Sequence, residues 1–391
     1  MNPCPGSSAG QPLRLALFSG NYNYVKDGAN QALNRLVARM LARGDVHPRV
    51  YSPVSARPAF PPAGDLVPVP SVPIPGRSEY RLALGLPRSV RRDLESFAPQ
   101  VVHLSAPDLL GHAAKRWARA RGLPVVASVH TRFETYGDYY RLGWLRNRAE
   151  ALLRRFYFDL DEVWAPSEGM ARVLREGGFA RRVAIWSRGV DHAVFHPAVR
   201  DPAFRTRLGL SAGEFLVGFV GRLVLEKGLD VVAAVSGRLT ALGVAHRLLV
   251  VGDGPARARF AASVPQAVFT GFLTGPDLAR AYAAFDVFLN PSVTETFGNV
   301  TLEAMACGIP VVAADAVGSS SLVVDGATGR LIPPGDVEAF ARALAAYAAD
   351  PGLRLAHGRA GHERALAFDW DRVNDAAIDR YLDLAASFPA G

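Results

Sequence analysis

The chain has 391 residues, 49% of them hydrophobic and 20% charged, with a formal net charge of +8; that length exceeds what one hydrophobic core usually supports, so two packed domains are expected. No apolar run nears the ~18 residues that cross a bilayer, and the first residues lack the charged start and long apolar stretch of a secretory leader, so neither feature is expected. Cys4 and Cys307 are the only cysteines and lie in unrelated contexts, which argues against disulfides and a cysteine-built metal site and fits a reducing cytoplasm.

In chain order, "LRLALFSG" (13–20) reads as a strand and leads into the polar loop "NYNYVKDG". The next stretch, "ANQALNRLVARMLARG", sets Leu33, Leu36, Val37, Met40 and Leu41 close to helical spacing and predicts an amphipathic helix. Short β-rich pieces then recur, among them "PRVYSPV", "QVVHLSA", "LPVVASVH", "EVWAPS" and "VAIWSRGV", with helical stretches between several of them. Buried apolar strands alternating with helices indicate a parallel sheet covered on both faces. The proline-rich run 58–75 reads as an extended loop. For residues 145–158 a core-facing helical stripe of Leu145, Ala149, Leu152 and Phe156 is the preferred reading.

The segment "RGVDHAVFHPAVRDPAFR" interrupts this pattern with turn residues and prolines. The strand–helix alternation then restarts with "EFLVGFVGRL", "HRLLVVGDG", "AVFTGFL", "DVFLNPS" and "IPVVAADA". Three units follow: residues 1–198, residues 199–365, and a closing helix within 366–391 with the option of packing back on the first domain. Two doubly wound α/β domains facing each other create a cleft, and ligands of such sheets bind beyond the carboxyl ends of the strands.

The second half holds the chemistry. "VGRLVLEKG" delivers Arg222 and Lys227 into the loop beyond a strand, where a planar guanidinium fork and an ammonium point charge suit a diphosphate. An ordinary surface loop would look similar, although the chain uses lysine only at 26, 115 and 227. "VVGDGPARARF" resembles half a dinucleotide fingerprint and lacks its third glycine. In "SVTETFGNVTLEAMACG" two carboxylates, Glu295 and Glu303, bracket an elbow that opens a helix at Gly298 and Asn299. The helix start offers backbone N–H groups to an anion such as phosphate. Carboxylates beside a phosphate would repel it, so their use lies in accepting hydrogen bonds from hydroxyls. One acid for a sugar, one for a ribose diol and a diphosphate between them describe a nucleotide-diphosphate sugar.

"GRLVLEKG", "VVGDGP", "FTGFL" and "ETFGNVTLEAMACGIPVVA", in that order, resemble the retaining glycosyltransferases of family four, and "DGATGRLIPPGD" (325–336) matches the segment that follows in that family. The resemblance is strong over residues 215–340 and looser before them, and it is nearest to bacterial glycolipid mannosyltransferases and sulfoquinovosyl-diacylglycerol synthases. It implies a GT-B fold, an α/β architecture of two Rossmann-like doubly wound domains facing an inter-domain cleft. It further implies that Arg222 and Lys227 hold the diphosphate, Glu303 the ribose and Glu295 the donor sugar. Backbone groups of Gly221, Phe272, Phe297, Gly298, Asn299 and Val300 would complete the donor site. The family's loop after the first strand often carries paired glycines; here "KDGAN" offers Gly28 alone. His130, in "VVASVHTRFETYG", would contact donor sugar or acceptor, with no general-base role carried over, whereas a lone histidine after a strand can equally be a structural hydrogen-bonder. No Asp-x-Asp pair sits where it could carry a metal, so no metal and no cofactor beyond the co-substrate are expected.

The charge is uneven: residues 1–200 carry 28 Lys plus Arg against 16 Asp plus Glu, a net of +12, and the remainder is slightly acidic. With the aromatic and arginine-rich loop "TYGDYYRLGW" (135–144), this suits an anionic membrane surface. Nucleic acid is not expected, because no recognised binding module accompanies these residues. The resulting expectation is a metal-independent retaining hexosyltransferase, peripheral at the cytoplasmic membrane face, moving mannose from GDP-mannose to a lipid or glycan acceptor. A UDP-sugar-dependent transferase of glucose, glucuronate or sulfoquinovose is the alternative. A glycosidase, a nicotinamide-dependent dehydrogenase and a non-catalytic membrane-binding protein are the rivals from other classes.

Overall fold

The computed structural model describes residues 11–25, 27–74, 77–130, 146–211 and 213–388. The loop 135–144, Lys26 and Cys4 lie outside these residues.

The first sheet is built from β1 (Leu13–Phe18), β2 (Val46–Ser52), β3 (Asp65–Pro68), β6 (Val101–Leu104), β7 (Val125–Ser128), β8 (Glu162–Ala165) and β9 (Val183–Ile185), in the order β3-β2-β1-β6-β7-β8-β9. Every pairing in it is parallel. The remaining strands of this half, β4 (Ser71–Ile74) and β5 (Arg77–Ala83), form an antiparallel hairpin. The second sheet contains β10 (Phe215–Val220), β11 (His246–Val251), β12 (Val268–Gly271), β13 (Val287–Asn290), β14 (Val311–Ala314) and β15 (Gly329–Ile332), ordered β12-β11-β10-β13-β14-β15. Both orders reverse direction beside their first strand, which opens a crevice between β1 and β6 and another between β10 and β13.

Each sheet is buried on both faces. In β1, Leu13, Leu15 and Leu17 pack to one side with Leu33, Leu36, Val37 and Met40 of the helix Gly28–Arg43. Ala16 and Phe18 pack to the other with Leu94, Leu110 and Met170. The period of two along the strand sorts its side chains between two helical layers. The helix starts at an Asp27 cap, whose carboxylate accepts from the Asn30 amide, and stops at Gly44, which takes the left-handed conformation (φ 79°).

Three details depart from the sequence reading. Leu41, assigned to the apolar stripe, is 48% exposed, because the buried stripe ends at Met40. In the helix Arg146–Tyr157, Phe156 is buried as expected, but Leu152 is 56% exposed and the buried residue beside it is Leu153. The proline-rich run is more than a loop: it contains β3, which pairs with β2 at the sheet edge, and β4 of the hairpin. Pro68 and Pro73 sit where a missing N–H is tolerated, on an edge strand and in a two-stranded hairpin.

The last helix, Trp370–Ala386, returns to the first domain. Ala377, Ile378, Tyr381 and Leu384 bury against the first sheet's core. Arg39 makes a two-pronged contact with Asp375, and Arg380 does the same with Glu162. The chain therefore crosses between domains twice, and the crossings touch: the Val190 amide donates to the Phe368 carbonyl, and a Cβ on Gly189 would sit 2.7 Å from the Trp370 nitrogen.

Candidate active site

Two adjoining cavities, of about 640 and 690 Å³, occupy the cleft between the sheets. They share Asp27, Gly28, Val220, Gly221, Arg222, Asn299 and Val300, so these residues form the neck of one continuous site.

The neck gathers groups that suit an anion. The helix Gly28–Arg43 of the first domain and the helix Asn299–Ala306 of the second both begin there. The Asn299 and Val300 amides have no acceptor among the described residues, as expected for a helix's first turn. Gly298, at φ 97°, turns the chain sharply into this helix. Gly28 approaches it so closely that a Cβ would fall 2.7 Å from the Asn299 side-chain nitrogen. Arg222 is exposed into both cavities and forms no ion pair with any described residue.

Glu303 lines the 640 Å³ cavity with Phe272, Leu273, Val194 and Trp370. Its Oε2 accepts a hydrogen bond of 2.8 Å from the buried Tyr282 hydroxyl. Burial pushes its pKa up to about 7, and the Tyr282 hydrogen bond pulls the other way. Phe272 is 69% exposed at the same cavity, where a planar apolar ring can cover a nucleobase.

The 690 Å³ cavity holds Lys227, Glu295, His130 and Arg188. Lys227 Nζ donates to Glu295 Oε1, so the ammonium and the carboxylate hold one another in position. The Phe297 side chain is 3% exposed and stacks edge-on against Phe368, so what it offers the site is backbone. Thr296 joins the domains: its hydroxyl donates to the His130 carbonyl at 3.1 Å, and its carbonyl accepts from Ser167 Oγ at 2.7 Å.

Both ring nitrogens of His130 have protein partners. Arg188 Nη2 donates to Nδ1 at 2.9 Å, which leaves the proton on Nε2 to face Ser128 Oγ at 2.8 Å. Burial, then the nearby Arg188 and His103, hold the His130 pKa well below 6.5, so the ring is neutral. Ser128 Oγ also meets His103 Nε2 at 2.7 Å, and His103 Nδ1 meets the Tyr381 hydroxyl on the returning helix.

The structure thus gathers His130, Gly28, Gly221, Arg222, Lys227, Phe272, Glu295, Phe297, Gly298, Asn299, Val300 and Glu303 around one cleft. Sequence reading missed Tyr282 and Arg188. Tyr282 resembles any apolar helix residue in "ARAYAAF", and Arg188 fell in a segment read as a boundary, where its burial left no trace. Among the described residues no group of three or more His, Cys, Asp or Glu side chains is placed to hold a metal ion.

Two Rossmann-ordered domains on either side of a shared cleft define the GT-B fold of glycosyltransferases. The chain superposes on sucrose-phosphate synthase from Thermosynechococcus elongatus with a TM-score of 0.77 at 22% identity, covering 96% of this chain and 100% of that one, which establishes the shared fold. Residues 27–194 match the family model for Glycosyltransferase Family 4, and residues 214–350 match that for Glycosyl transferases group 1. The chain is 38% identical over 303 residues to a GDP-mannose-dependent alpha-mannosyltransferase of Mycobacterium tuberculosis, covering 77% of each. It is 30% identical over 381 residues to a protein of the same name from Corynebacterium glutamicum, covering 96% of this chain and 90% of that one. The chain belongs to glycosyltransferase family 4.

Proposed function

We propose that the protein is a retaining mannosyltransferase that moves mannose from GDP-mannose to a hydroxyl of a lipid or glycan acceptor at the cytoplasmic membrane face. The observation that carries this reading is the neck, where Arg222 and two unsatisfied helix amides sit between a nucleoside-sized cavity holding Glu303 and a second cavity holding Glu295 and Lys227. GDP would lie across the neck, with Glu303 accepting from the ribose hydroxyls and the diphosphate on Arg222, Lys227 and the amides. The mannose would then enter the second cavity beside Glu295.

In the transfer, the bond between the anomeric carbon and the diphosphate oxygen breaks, and the acceptor oxygen bonds the same face of that carbon. The acceptor's proton passes to the departing diphosphate. Arg222, Lys227 and the helix dipole stabilise the negative charge that builds there, a preorganised electrostatic effect. His130 takes no proton in this scheme, because both of its ring nitrogens are engaged. These protein cations supply the charge a metal would otherwise bring, and the reaction is proposed to be metal-independent.

Donor preference and metal dependence are tested by one assay. Purified protein is incubated with GDP- and UDP-sugars and mixed membrane lipids, with and without excess EDTA. Turnover with GDP-mannose, unaffected by EDTA and giving an α-linked product, is the expected outcome. Turnover confined to a UDP-sugar would replace both base and sugar in this reading. Release of free mannose with no acceptor dependence would replace transfer by hydrolysis.

A further inference from the structure

Arg188 is a buried cation that pairs with no carboxylate among the described residues. It is 4% exposed, yet it lines the 690 Å³ cavity together with Lys227 and Glu295. A guanidinium has five N–H donors. Nη1 donates to the Trp186 and Ser187 carbonyls, each at 3.0 Å, and Nη2 to His130 Nδ1. Two N–H groups have no acceptor among the described residues. The Trp186 ring covers one face of the group at 4.7 Å.

This arrangement fixes the guanidinium without neutralising it. Carbonyl dipoles, a neutral imidazole and an indole face all carry no formal charge. Burial lowers the pKa only to about 10, so the side chain stays protonated near neutrality. A buried charge left without a counter-ion is costly, and the cavity that Arg188 lines gives a counter-ion access to it. The buried arginines Arg205 and Arg188 differ in this respect: Arg205 reaches Asp286 at 2.9 Å, whereas Arg188 forms no ion pair with a described residue.

We propose that Arg188 is a binding residue for an anionic oxygen of the substrates, supplied from the first domain to complement the cations of the second. The inference rests on the glycosyl-transfer reading and extends it. The anion could come from the donor's diphosphate or from a phosphate or carboxylate on the acceptor; both present the same chemistry to a guanidinium fork. Because Arg188 also sets the tautomer of His130, the anion, Arg188 and His130 form one positioned unit across the cleft from Glu295.

Arg188→Gln is the test, compared with the unaltered protein in calorimetric titrations with GDP, GMP and guanosine, and in steady-state kinetics with varied acceptor. The unaltered protein must first bind GDP; if it does not, the proposed function itself fails, separately from this inference. Given that, a tenfold or larger loss of GDP affinity, with guanosine binding unchanged, places the anion on the donor. Unchanged GDP binding with a tenfold rise in acceptor KM places it on the acceptor. Unchanged GDP affinity and acceptor KM, with only stability or kcat altered, would overturn the inference. Should Arg188→Gln not fold, Arg188→Lys retains the buried charge but loses the fork. Its GDP affinity and acceptor KM are read by the same criteria.

Discussion

Glu303 is a carboxylate whose usefulness depends on its charge. Its pKa sits at about 7 because burial disfavours the ionised form. Between the ordinary glutamate value of 4.5 and about 7, the folded protein holds a proton that the unfolded chain has released. This group's contribution to stability therefore falls as pH rises through that window. Nucleotide binding runs the opposite way, since an ionised carboxylate accepts from ribose hydroxyls more strongly than a protonated one, whose O–H is itself a donor. GDP affinity should rise between pH 6 and pH 8, with a step near 7 that Glu303→Gln removes. Calorimetric titration across that range checks it, and superimposable pH profiles for the two proteins would remove Glu303 from the ribose. Lys227 acts on the other cavity. Lys227→Ala should lower turnover by about two orders of magnitude, the typical effect of losing one transition-state donor; steady-state rates with GDP-mannose that match the unaltered protein would return it to an ordinary loop cation. Lys227→Ala also leaves the Glu295 carboxylate without its Lys227 contact, so Lys227→Arg is the control that keeps the charge. Residues such as these were legible in the sequence because their spacing within short motifs is peculiar. Tyr282 and Arg188 were not, because what distinguishes them is burial against distant segments.

At the scale of elements, the loops after β10, β11 and β12 are laced into one platform. Gly221 N–H donates to the Val251 carbonyl, Leu223 N–H to that of Asp253, and Gly252 N–H to that of Gly271. Such close backbone contact leaves no room for side chains. A Cβ on Gly252 would lie 2.0 Å from the Gly221 carbonyl oxygen, and one on Gly254 would lie 2.4 Å from that of Leu223. Gly252 also has φ 133°, outside the range other residues adopt readily. The half-fingerprint "VVGDGP" thus uses its glycines to let two loops meet. Gly252→Ala should displace the loop carrying Arg222 and lower Tm by several degrees, with GDP affinity falling at least tenfold. Thermal unfolding and titration measure both, and intact GDP binding would mean that the platform does not position Arg222. Strands and helices of this half were readable from alternating apolar runs and turn residues. The edge strands β3 and β4 were not, because prolines mask extended pairing, and a one-residue error at Leu152 shows how loosely a short helix's pattern fixes its buried face.

For the molecule as a whole, the return of the last helix was legible in the sequence only as an option. Its apolar stripe marks a buried face, but nothing in the stripe says that the partner is the sheet of the other domain. The structure supplies the partner through Arg39, Arg380 and Tyr381. Charge was readable at this scale without any structure: residues 1–200 carry a net +12, and no described helix is long and apolar enough to cross a membrane. On the first domain the helix Arg88–Phe97 exposes Arg88 and Arg92, and Leu84, shortly before it, is 68% exposed. Cations beside an exposed apolar side chain suit an anionic lipid surface, where each cation contributes ~1 kcal/mol. Such attachment is screened by salt. In vesicle sedimentation the protein should bind anionic but not zwitterionic bilayers and should release at high ionic strength. Replacing Arg88 and Arg92 with alanine should weaken binding by roughly thirtyfold, the factor that ~2 kcal/mol represents. Binding unchanged by the double substitution would move the contact elsewhere on the basic half. No binding to anionic vesicles even at low salt would replace the lipid acceptor with a soluble glycan, because a peripheral enzyme must meet its substrate's surface before it can turn it over.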